Sequence, residues 1–159
     1  MTLQGSEHRN ISGEGPETAG IRSEDLGRIN SIDTDAFGVN RSGLLRFLQH
    51  NYPEKGFYTE DDTGVTGFIQ GRAGSKFTYV GPLTAVSDEL AIRLVSESIR
   101  FHSGETLALD VPEMHKGLIS WLEKAGFVTQ RYFTRMFLHH NPFPGSFKSQ
   151  YLISGPEFG

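Results

Sequence analysis

The chain has 159 residues, 36% of them apolar and 21% charged, with a net charge of −4 and no cysteine. That balance suits one globular domain large enough to bury a core, and it excludes disulfides, thiolate metal sites and a cysteine nucleophile. The acidic balance and the lack of a Lys/Arg run argue against nucleic acid as a partner. No apolar run reaches spanning length and no basic-then-apolar leader opens the chain, so a cytoplasmic protein without membrane contact is the expectation.

Residues 1–20, including "GSEHRNISGEGPETAG", are polar and lack an apolar period. They are expected to form a mobile tail or a linker from a longer parent, with the folded domain over 21–159. Leu26, Ile29 and Ile32 are spaced for a short amphipathic helix. In "DTDAFGVNRSGLLRFLQH", Phe37, Arg41, Leu44, Leu45 and Leu48 recur at helical spacing and predict a second helix. "GFYTEDDTGVTGFIQGRAG" has the turn chemistry Asp61-Asp62-Thr63-Gly64 between two strand-like runs, a hairpin. "KFTYVG" reads as a further strand. "SDELAIRLVSESIRFH" is the clearest helix, capped by Ser87 or Asp88, with Leu90, Ala91, Leu94, Val95, Ser98, Ile99 and His102 on one stripe.

"ETLALDVP" is a strand ended by Pro112, with Leu107, Leu109 and Val111 on one face and Asp110 on the other. Met114 to Ala125 predicts a helix whose apolar face is Met114, Leu118, Trp121, Leu122 and Ala125, stopped at Gly126. "RYFTRMFL" and "QYLISG" read as the last strands, separated by the Pro/Gly loop "HHNPFPGSFKS". The order predicts an α/β fold, a mixed sheet with helices on both faces.

"VGPLTAVSDELAIRLVSE", "LALDVP" and "HKGLISWLEKAGF", in this order, resemble the fourth strand with its loop and helix, the fifth strand, and the fourth helix of GNAT acetyltransferases. "DTDAFGVNRSGLL", "GPLTA", "LDVP", "RYFTRM" and "GPEFG" are similar to the C-terminal domain of two-domain GNAT proteins. The resemblance spans about 22–154. It implies the GNAT fold, acetyl-CoA as co-substrate and an amine acceptor. The partners it implies are a small-molecule amine or ligand, a second GNAT domain, or a second copy of the chain in a homodimer.

Residue by residue, the resemblance carries over unevenly. The family's glycine-rich phosphate loop falls on "PLTAVSDELA", which has no glycine after Gly81 and places Asp88 and Glu89 where a pyrophosphate would lie. The amides of Leu83, Thr84, Ala85 and Val86 remain a candidate cradle, and those of Thr78, Tyr79 and Val80 are expected where the sheet splays. The family's tyrosine acid falls on Leu122, which has no proton to give. His115, Asp110 and Glu113, beside a strand end, are the candidate bases.

Arg131 and Arg135 are expected on one strand face. They either pair with Glu or Asp across the sheet or contact substrate, because guanidinium groups beside aromatics bind carboxylate or phosphate. The resemblance implies that Phe37 and Arg41 face a substrate cavity or the partner domain. His139-His140 lacks a third ligand, so no metal site is expected. Phe158 of "GPEFG" is either a dock onto the sheet or part of a site. Two functions stay open: N-acetyl transfer from acetyl-CoA to an amine, or a catalytically degenerate GNAT domain that binds a small ligand or a partner acetyltransferase domain.

Overall fold

Phe68 and Ile69 are neighbours on one strand, yet each is fully buried in a different core. Alternation along a strand sends them to opposite faces of the sheet, and both faces are covered. The computed structural model describes residues 1–5, 17–136 and 140–157. Its strands are β1 (Thr2–Gly5), β2 (Thr18–Gly20), β3 (Phe57–Asp61), β4 (Gly64–Ala73), β5 (Thr78–Ala85), β6 (Leu107–Asp110), β7 (Val128–Arg131) and β8 (Gln150–Leu152). Four α-helices are α1 (Leu26–Phe37), α2 (Ser42–Asn51), α3 (Asp88–Phe101) and α4 (Lys116–Lys124). Among the described residues the sheet runs β2-β3-β4-β5-β6-β1-β7, with β8 paired to β5.

Among the described residues only β5 and β6 pair in parallel. Helices α1 and α2 cover one face through Ile29 and Leu45 against Tyr58 and Phe68. Helices α3 and α4 cover the other through Leu94, Val95, Ile99, Leu118 and Leu122 against Ile69, Leu83 and Leu109. The α3 start is capped as the sequence implies, with the Leu90 N–H donating to Ser87 Oγ at 3.3 Å. The α4 end is a Schellman turn: Gly126, at φ +96°, donates to the Glu123 carbonyl at 3.1 Å, and Phe127 donates to that of Leu122 at 3.0 Å.

Three expectations change. The helix predicted from Asp33 onward is two helices: Gly38, at φ +91°, ends α1, and α2 begins only at Ser42. The predicted tail contains structure, because β1 lies between β6 and β7 with Leu3 fully buried, and β2 pairs with β3. Residues 6–16 lie outside the described residues. The predicted strand over 131–138 is β7 instead, three residues earlier, and residues 132–136 form no strand. His139 and Phe158 lie outside the described residues.

Candidate functional site

The parallel pairing of β5 with β6 covers only Thr78–Val80 against Leu107–Leu109. Beyond it β8 takes over: Leu83 pairs with Leu152 and Thr84 with Gln150. Ile153 bridges to Asp110, its N–H donating to the Asp110 carbonyl at 3.1 Å. The carboxyl ends of parallel strands, facing helix N-termini, form the usual ligand crevice of an α/β sheet. Here that crevice holds the chain's own β8. Gly81 permits the approach: it sits at φ +143°, and a Cβ there would lie 2.2 Å from the Ile153 carbonyl oxygen.

At the α3 start, Tyr151 donates its hydroxyl to Asp88 Oδ1 at 2.6 Å. Burial, and then Asp88, push the Tyr151 hydroxyl well above its ordinary range, so it stays a protonated donor. The Tyr151 ring stacks on His115 with centroids 4.0 Å apart. His115 is buried, and its Nε2 lies 2.8 Å from the Gln150 carbonyl oxygen. A carbonyl only accepts, so Nε2 carries the proton. Burial holds the His115 imidazole below its ordinary value of 6.5. Gln150 continues the chain of contacts: its Nε2 donates to the Ala36 carbonyl at 2.6 Å, and its Oε1 accepts from Arg135 Nη1 at 3.3 Å.

Arg41 forks onto Asp33 through Nε at 3.0 Å and Nη2 at 2.6 Å. Asp33 is fully buried, so this pair is well shielded from water. Arg41 Cζ stands 3.7 Å from the Phe37 ring centroid. Arg135 Cζ lies 5.4 Å from that ring and 5.4 Å from the Phe147 ring.

The structure therefore joins His115, Phe37, Arg41 and Arg135 of the sequence-derived candidates into one array, with Gln150 as the hub. Asp110 and Arg131 stand together elsewhere. The Thr2 hydroxyl donates to the Asp110 carboxylate and accepts from Arg131 Nε at 3.3 Å. Glu113 is exposed at the turn before α4. Thr78, Tyr79 and Val80 lie inside the closed β5–β6 ladder rather than at the splay. Leu83 and Thr84 pair with β8, Ala85 pairs with Gly67 of β4, and the Val86 N–H donates to the Thr66 carbonyl at 3.1 Å.

Asp33, Phe147, Gln150 and Tyr151 complete the array and were not singled out from the sequence. Asp33 had a usable signal, since ending α1 at Gly38 folds Arg41 back toward it. Tyr151 and Gln150 had none, because their roles depend on where β8 inserts.

A family model described as an acetyltransferase (GNAT) domain matches residues 29–152, from α1 through β8. The chain belongs to the GNAT acetyltransferase family. That match supports a general acetyltransferase function for this GNAT domain. Its fold is similar to that of a candidate acetyltransferase from Pyrococcus horikoshii, with TM-score 0.67 and 16% identity over 99% of this chain and 51% of that one. A candidate GNAT acetyltransferase from Novosphingobium aromaticivorans gives TM-score 0.63 and 16% identity, over 82% of this chain and 59% of that one. A GCN5-related N-acetyltransferase from Sphaerobacter thermophilus gives 0.57 and 17%, over 81% and 47%. The GNAT domain thus spans about half the length of these structures. No curated protein matches it. No described helix is long and apolar enough to cross a membrane.

Proposed function

We propose that this GNAT domain serves acetyl transfer from acetyl-CoA to an amine as a recognition domain. It binds a small ligand or a partner acetyltransferase domain while its own acyl-CoA groove stays closed. The observation that carries this reading is β8 in the crevice between β5 and β6, tied down by the Tyr151–Asp88 bond. The β5 backbone on that side pairs with protein, and the Asp88 carboxylate at the α3 start opposes an incoming phosphate. The half-length match to longer acetyltransferases supports a partner domain. His115 then acts as a positioning residue that holds Gln150, because its Nε2 proton is committed to a carbonyl.

Thermal unfolding with and without millimolar acetyl-CoA tests the reading. A ligand at one hundred times its Kd adds about 2.7 kcal/mol of stability, a shift of several degrees at this size. No acetyl-CoA-dependent shift is expected. A saturable rise in Tm overturns the closed groove and returns the thioester chemistry to this chain.

A further inference from the structure

Charge is segregated along the chain. From Lys124 to Pro156 there is no Asp or Glu, while Lys124, Arg131, Arg135 and Lys148 give +4. Against the chain's net −4, the remaining residues carry −8. The same stretch is rich in exposed aromatic and apolar side chains: Tyr132, Phe133, Met136, Phe143 and Phe147. It folds over the end of α1, where the Ser146 N–H donates to the Ala36 carbonyl at 2.7 Å beside Gln150 Nε2.

The basic stretch meets the Phe37–Arg41 corner there, so two guanidinium groups converge on the Phe37 ring, and Arg135 also stands over the Phe147 ring. The Asp33 carboxylate is fully buried behind Arg41 and uses both oxygens on it. Arg135 lies on an exposed segment and donates to Gln150 Oε1 at 3.3 Å. Burial, and then the charge of Arg41, hold the Arg135 guanidinium below its ordinary range, as two close cations require. A guanidinium beside apolar ring walls favours an anion with an apolar body.

We propose that Phe37, Arg41, Arg135 and Phe147 form a binding site for a small oxyanion, carboxylate or phosphate, carried on a planar apolar group. Arg135 bonds the oxyanion, Phe147 and the edge of Phe37 cover the apolar body, and Arg41, fixed to Asp33, holds the Phe37 ring in place. The proposal rests on the recognition-domain reading. Acetyl-CoA is left out of its test, so the two fail separately.

Calorimetric titration of the full chain at low salt, with benzoate, phenyl phosphate and neutral benzyl alcohol, decides it. One or both anions are expected to bind, and benzyl alcohol at least tenfold more weakly. Preference for benzoate assigns carboxylate, and preference for phenyl phosphate assigns phosphate. Arg135→Gln is expected to weaken the preferred anion about ten- to hundredfold, the range for one charge-assisted bond. Phe147→Leu is expected to weaken it less, with Tm tracked in both variants to confirm folding. Equal binding of anions and benzyl alcohol, no binding at all, or an Arg135→Gln variant that folds and binds like the parent overturns the site.

Discussion

Asp33 and Arg41 stand eight residues apart and close the gap because Gly38 turns the chain back between them. Removing one member of a buried ion pair leaves the other charge without compensation, at a cost of about 3–5 kcal/mol. Asp33→Ala is expected to lose about that much in chemical denaturation, and Asp33→Ala with Arg41→Met less than the two single changes added together. At this scale the sequence was legible where chemistry is local. The Ser87 cap and the Gly126 stop follow from neighbours in the chain. Leu122, fully buried, is the core residue that its side chain implies. Gln150 and Tyr151 were opaque, because their partners at Ala36, His115 and Asp88 lie 114, 35 and 63 residues away.

Elements were legible in proportion to their length and periodicity. Helix α3 and the β3–β4 hairpin follow from pattern alone, and α4 differs only at its ends. β1 escaped because four residues, "TLQG", carry too little alternation to signal a strand, while its stability comes from β6 and β7 on either side. Leu3→Ala is expected to cost about 2–5 kcal/mol, the range for a buried leucine; a loss below about 1 kcal/mol by denaturant midpoint would show β1 to be dispensable. "RYFTRM" misled because alternation continues past Arg131, where the pairing stops. Gly81→Ala probes β8 directly. Its Cβ would collide with the Ile153 carbonyl at a positive φ, so about 1–3 kcal/mol is expected to be lost, with faster hydrogen exchange concentrated at Leu152 and Ile153.

For the whole molecule, the α/β class and helices on both faces could be read from element order, whereas the strand order could not. Stability as a function of pH is a property of the whole. Burial holds both His102 and His115 below their ordinary 6.5. Below that value the unfolded chain takes up protons that the folded chain refuses, so unfolding gains. The denaturant midpoint is therefore expected to fall as pH drops through about 6.5 and to go on falling until the folded-state values are passed. Their contribution is flat above about pH 7.5, and His115→Gln is expected to blunt the acid loss. β1 also sets an order of events. Thr2 must meet Asp110 and Arg131, and closing a loop of that length costs about 4 kcal/mol in chain entropy. During synthesis β1 emerges well before β6 and β7, so it waits for both partners. Until β7 is synthesised, a nascent chain leaves the outer edge of β1 bare, and a stalled or clipped product would present that edge to other chains.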